Sequence, residues 1–175
     1  MMHGPIYDFL TADHARIEAL IDRAAATDPV DVDVWQQMRA GLLRHIAMEE
    51  KTLMPAARAA HGEPVPMASR LRLQHGAIAS LLVPPPDLRI VRALRRILAE
   101  HNRVEDEPGG LYDVCDEWIG AGATELIGRL RAQPEVPLAP HVEGPFVRAA
   151  IRRALERAGF DDVRALLDEG GAPGG

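Results

Sequence analysis

Apolar residues in this chain recur at intervals of three and four, in runs that stop at proline or glycine. That period belongs to a helix, because residues three and four apart share one helical face, whereas a half-buried strand would alternate. Phe9, Leu10, Ile17, Leu20 and Ile21 mark a first helix, running from after Pro5 to about Ala26. Asp33 serves as the expected N-cap of a second, which carries Trp35, Met38, Leu42, Ile46 and Leu53 inward until Pro55 kinks or ends it, with the alanine-rich stretch 56–60 as an extension. After the breakers His61 to Pro64, a third helix carries Met67, Leu71, Ile78 and Leu82 and stops at Pro84, Pro85 and Pro86. Asp87 caps a fourth, with Ile90, Leu94, Ile97, Leu98 and Val104 on its face, ending at Pro108, Gly109 and Gly110. A fifth is expected from about Leu111 to Leu130, carrying Tyr112, Cys115, Trp118, Ile119 and Leu126. Pro134, Pro137 and Pro140 then stiffen a linker into an amphipathic segment, Phe146 to Ala158, followed by a glycine-rich tail expected to lack order.

The fold expectation is therefore all-α. Short connections make successive helices antiparallel neighbours, so the first four should form an up-down-up-down four-helix bundle, with a fifth helix and a short C-terminal helical extension. Residues 1–132 would be the bundle, and 133–175 the linker, amphipathic helix and tail. Aromatic residues are only 4% of the chain, which leaves a sheet little to be built from. The single cysteine excludes a disulfide framework and multi-cysteine zinc sites. A formal charge of −6 supplies no attraction for nucleic acid or anionic lipid. No apolar run has the length of a membrane-spanning helix, and the start MMHGPIYDFLTADH lacks the regions of a secretory signal, so neither membrane nor nucleic acid is an expected partner and a cytoplasmic location is expected.

Four of the seven histidines fall on apolar faces, one per helix: His14, His45, His75 and His101. Burying an imidazole is costly unless it has a partner. His45 and Glu49, and again His101 and Glu105, are four residues apart, so one helix offers a nitrogen and a carboxylate to the same centre. About half of one such spacing is expected by chance, so the spacing alone decides nothing. Indeed His14 and Glu18 form a third copy. The order carries the signal: a lone histidine, then a His-Glu pair, then a lone histidine, then a second pair. The stretch Leu43 to Glu50 has its counterpart in Ala99 to Asp106, so the chain is close to a repeat of a two-helix unit. Four imidazoles and two carboxylates suit two metal ions, each with two histidines, bridged by both carboxylates. Ligands of nitrogen and oxygen without thiolate favour iron or manganese, with zinc possible, and an oxo- or hydroxo-bridged di-iron centre is the natural choice.

On these residues the sequence resembles the hemerythrin-like proteins, the family of the HHE cation-binding domain, over roughly residues 5 to 130. The family pattern H…HxxxE…H…HxxxE is met by His14, His45, Glu49, His75, His101 and Glu105. Two departures separate it from the invertebrate oxygen carriers. Those have a second histidine four residues from the one on helix three, where this chain has Leu71 and Ala79. They also use an aspartate five residues after the last histidine, here Asp106; one position further round a straight helix, it is a poorer geometric choice than Glu105. In this family helix one supplies only a histidine, which puts Glu18 behind the ligands or at the surface. The resemblance implies a non-heme di-iron protein that binds or reacts with oxygen, nitric oxide or peroxide. The missing histidine leans the expectation toward redox chemistry, such as peroxide removal, over reversible oxygen carriage. The alternative is a non-enzymatic iron or oxygen sensor, or an iron donor like the iron-sulfur repair proteins, signalling to a protein partner through the C-terminal extension. His3, His61 and His141 are expected as solvated loop histidines, Met48, Met54, Met67 and Cys115 as core, Tyr112 as a packed tyrosine with a bonded hydroxyl, and Arg148, Arg152, Arg153 and Arg157 as a solvated face.

Overall fold

Pro5 opens the first helix, α1 (Pro5–Ala24), in the computed structural model, which describes residues 3–168. Proline at this position supplies a preset φ where its missing N–H is not needed. Gly4 precedes it and has no side chain to cap with, so the cap comes from elsewhere: the Asp116 carboxylate accepts from the backbone N–H groups of Ile6 (3.0 Å) and Tyr7 (2.9 Å). Asp116 lies on α6 (Leu111–Ile119), so this capping ties the start of the chain to a helix more than a hundred residues later.

The second helix, α2 (Val32–Met48), is capped by Asp31, whose side chain accepts from Val34 N at 3.1 Å, and not by Asp33. Asp33 instead sits inside the first turn, where its charge complements the helix N-terminus. Pro55 does not end this helical run. One π turn, Glu49–Leu53, widens the helix just before the proline, and Met54 N–H reaches back five residues to Glu49 O. Pro55 then falls in the first turn of α3 (Met54–His61), where the lost donor costs least, and Gly62 closes that helix at φ +95°.

The third and fourth predicted helices appear as α4 (Ala68–Leu81) and α5 (Leu88–Asp106), the latter capped as expected by Asp87. The fifth predicted helix is two: α6 is broken at Gly120 (φ +52°) by the 3₁₀ turn Gly120–Gly122 before α7 (Ala123–Arg131). After α8 (Pro145–Ala158), a further helix, α9 (Asp161–Asp168), occupies a stretch in which the sequence suggested none. The expected disorder of the glycine-rich tail concerns residues outside the described ones. No strand occurs among the described residues, and none of their helices is long and apolar enough to cross a membrane.

Helix α1 packs against α2, α5, α6 and α7, while α4 packs against α5 and α8, and α9 against α5. Their apolar side chains form two separate cores. One holds Ile17 and Ile21 of α1, Leu42 of α2, Ile78 of α4 and Leu98 of α5, together with Ile151 and Leu155 of α8 and Phe160 and Val163 beyond it. The other holds Leu10, Met48, Leu71, Leu111, Tyr112 and Cys115. Each of the four expected histidines stands at the seam between them: His14 between Leu10 and Ile17, His45 between Leu42 and Met48, His75 between Leu71 and Ile78, and His101 after Leu98. The polar cluster is thus a layer sandwiched between two apolar ones.

The proline-rich segment is strapped to α2. Arg39 donates to Ala139 O (3.2 Å), and Arg44 donates to the carbonyls of Gln133 and Arg131, both at 2.8 Å. His141 is half-buried and not solvated as expected; its ring reaches Gln36 and Val83 O, each at 3.2 Å. His3 and His61 are exposed and stack on Tyr7 and Trp118. Arg152 pairs with Asp168.

Candidate metal centre

Each of the four buried histidines is held from behind through Nδ1. His14 donates to Asp106 (3.3 Å), His45 to Asp13 (2.9 Å), His75 to Glu50 (2.7 Å) and His101 to the Gln74 side-chain oxygen (3.1 Å). An imidazole that donates from Nδ1 presents Nε2 inward, and for a neutral ring that nitrogen carries a lone pair. All four Nε2 atoms meet two carboxylates that are fully buried, Glu49 and Glu105, each at 0% exposure.

The six residues divide into two sets of four. His14, His45, Glu49 and Glu105 offer ligand atoms within 4.8 Å of one another, and so do Glu49, His75, His101 and Glu105. The glutamates belong to both sets by different oxygens. Glu49 turns Oε1 to His45 (3.3 Å) and Oε2 to His75 (3.1 Å). Glu105 turns Oε2 to His14 (3.3 Å) and Oε1 to His101 (3.2 Å). Several of these approaches are not hydrogen bonds: Glu49 Oε2, Glu105 Oε1 and His75 Nε2 are buried and have no hydrogen-bonding partner. His14 Nε2 and His45 Nε2 face each other at 3.0 Å. Two ring nitrogens so placed need a proton or a metal ion between them, because two lone pairs repel. Hard and borderline donors in this number, buried and aimed inward, fit divalent or trivalent metal ions.

The electrostatics carry the same demand. Burial opposes a charge on His14, yet the Asp106 and Glu105 carboxylates hold its pKa up to about 10; burial likewise opposes His75, which Glu49 and Glu50 hold up to about 10. Burial is outweighed at His45 too, by Glu49 and Asp13. His101, with a neutral amide behind it, goes the other way: burial and the neighbouring His75 push it well below the usual value. Burial and the proximity of Glu49 raise Glu105 to about 7, whereas Glu49 overcomes its burial through His45 and His75 and stays well below the usual carboxylate range. Asp13 is also overcome by its partners, His45 and Arg16, and falls to about 2.

Tyr112 is packed with a bonded hydroxyl, as expected, but its bonds are to the cluster itself. The phenol oxygen lies 2.7 Å from Glu49 Oε1, 3.0 Å from His14 Nε2, 3.2 Å from Glu105 Oε2 and 3.3 Å from His45 Nε2. Burial, then the two glutamates, raises its pKa well above the ordinary value.

This geometry agrees with a comparison against protein families. The model of the hemerythrin HHE cation-binding domain matches residues 5–108. The chain belongs to the hemerythrin family. It is accordingly a helical domain with a His/Glu metal-binding cluster. No curated protein and no solved structure gives a significant match.

All six residues singled out from the hemerythrin pattern, His14, His45, Glu49, His75, His101 and Glu105, are brought together at this cluster. Asp106 lies behind His14, outside both sets, and Glu18 is exposed. Sequence reasoning did not find Asp13, Glu50 and Gln74 as ring partners. A weak signal existed: Asp13 immediately precedes His14, Gln74 immediately precedes His75, and Glu50 follows Glu49. Each projects about 100° from its neighbour, toward the adjacent helix and not into the centre.

Proposed function

We propose that this hemerythrin-family chain is a non-heme di-iron protein that binds or reacts with a small ligand: oxygen, nitric oxide or peroxide. The observation that carries the reading is that Glu49 and Glu105 each divide their two oxygens between the two sets of histidines, as bridging carboxylates do. On this reading His14 and His45 hold one ion, His75 and His101 the other, and α1, α2, α4 and α5 are the four helices of an up-down-up-down bundle around them. A pair of irons supplies redox exchange of two electrons with such a ligand, with manganese or zinc as the other metals the donors would accept.

The chain's own residues set the conditions. Asp13, Asp106 and Glu50 fix three rings with Nε2 inward and raise their basicity, and Gln74 fixes the fourth without adding charge. Neither position four residues from His75, where the oxygen carriers have a further histidine, carries one here: Leu71 is fully buried and Ala79 partly so, and the protein supplies one nitrogen fewer. A cavity of about 10 Å³ touches His14, His45 and His101 and is walled by Ile17, Leu42 and Leu98. A space of that size is about that of one water.

Iron loading followed by elemental analysis tests the reading: two equivalents per chain are expected, and one or none rejects it. Peroxide disproportionation faster than by free iron would then assign turnover over binding. A second reading, an iron or oxygen sensor, is favoured by the packing of α8 along α4, the helix that carries His75. Metal-dependent binding of a protein partner without turnover would select it.

A further inference from the structure

Five buried donor atoms, not four, surround the position between His14 and His45, and their spacing is that of a coordination shell. Adjacent ligands of an octahedral ion with bonds near 2.1 Å are separated by about 3.0 Å, while opposite ones are about 4.2 Å apart. Around this position the neighbouring pairs measure 3.0 Å (His14 to His45), 3.3 Å (His45 to Glu49) and 3.3 Å (Glu105 to His14). The other pairs, His14 with Glu49 and His45 with Glu105 among them, stay within 4.8 Å. Three pairs around the ring of four thus lie near the spacing of adjacent ligands. The Tyr112 oxygen stands 2.7 to 3.3 Å from all four, the spacing of a further adjacent ligand. The one hydroxyl hydrogen serves Glu49, and the oxygen can accept from a ring N–H of His14 or His45, which leaves the approach to Glu105 Oε2 without a hydrogen of its own.

We propose, resting on the two-ion reading above, that Tyr112 is a fifth protein ligand of the His14/His45 ion, bound through its phenol oxygen. The phenol proton passes to solvent as the oxygen–metal bond forms. Among the described residues the His75/His101 position has no such oxygen: its donors are those two rings and the second oxygens of Glu49 and Glu105. The two ions are therefore unequal, one held by five protein atoms and the other by four, and an exogenous ligand is directed to the ion of His75 and His101.

Resonance Raman and visible absorption of the ferric protein test this, because a tyrosinate bound to ferric iron has its own charge-transfer band and ring modes. The chain has two tyrosines, Tyr7 and Tyr112, and Tyr7 lies edge-on to the Tyr112 ring, stacked on His3. Ferric wild type carrying two irons is expected to show tyrosinate modes. Tyr112→Phe should lose them completely while keeping two irons, and Tyr7→Phe should keep both. Two irons without tyrosinate modes, or modes that survive Tyr112→Phe, overturn the assignment and leave Tyr112 as a hydrogen-bond donor to Glu49. If Tyr112→Phe does not fold, the wild-type spectrum together with Tyr7→Phe still decides. Tyrosinate modes with a single iron would instead keep the ligand and reject the two-ion reading. Azide, as probe ligand, should bind without displacing the modes; their loss on azide addition overturns the division between the two ions.

Discussion

Neighbouring carboxylates at positions 105 and 106 do different work because one residue along a helix is a rotation of about 100°. Glu105 points into the layer between the two cores at 0% exposure, while Asp106 holds His14 from behind. On the two-ion proposal, Glu105→Ala should therefore remove at least one of two metal equivalents, since its oxygens are divided between both sets of histidines. Asp106→Ala should keep both and weaken affinity by about 10–100-fold, the usual effect of losing a group that orients a ligand. Elemental analysis and a competition titration with a chelator measure these, and two equivalents in Glu105→Ala would refute the bridging role. The same reasoning explains why Glu18, four residues after His14 like the glutamates of the two pairs, takes no part: it is exposed.

At the scale of elements, the connection between α5 and α6 fixes how Glu105 meets Tyr112. Gly110 is the only residue type that fits there: a Cβ would lie 2.6 Å from Glu105 O, 2.7 Å from Val104 O and 2.8 Å from Glu107 O, all backbone atoms at the end of α5. Its carbonyl also takes the first hydrogen bond of α6, from Val114 N at 3.1 Å. Gly110→Ala must push α6 away from α5, and overpacking of this kind costs about 1–3 kcal/mol. A lowered melting temperature together with a weaker tyrosinate spectrum is expected. An unchanged spectrum at full iron loading would show that α6 is not what positions Tyr112. The π turn at Glu49–Leu53 has a comparable place in the architecture, since it begins at a candidate ligand and lets the helical run continue through Pro55.

Across the whole molecule, buried histidines and carboxylates make stability depend on protons and metal together. His14 and His75 are raised to about 10 in the fold, above the roughly 6.5 of an unfolded chain. Their protonation stabilises the metal-free fold fully below about pH 6.5, and that contribution is lost as pH rises through about 10. Metal binding must displace these protons, so loading releases protons at neutral pH and affinity grows with pH. The gap in melting temperature between iron-loaded and chelated protein should therefore widen from about pH 6.5 to pH 9, following the relation for a ligand of the native state. Thermal unfolding at several pH values measures it, and a gap that narrows with rising pH would contradict the proton competition.

The sequence by itself determined the helical class and most helix limits, because each is a local property, and it singled out the six residues of the cluster through their order along four helices. Apolar period, proline position and the i, i+4 spacing all act within one turn or two. What it left open were features made by neighbours in space. Asp33 and Asp31 are equally good caps as letters, and only the backbone entering α2 selects Asp31. Gly120 breaks the fifth helix because the chain turns left-handed there, which a glycine permits without requiring. The cap of α1 by Asp116, the carboxylates and amide behind the rings, and the Tyr112 oxygen beside the four donors join residues as many as 110 positions apart. Such contacts leave no periodicity in the chain. They come into being only when the two apolar cores close on the polar layer, and so only the tertiary structure decided them.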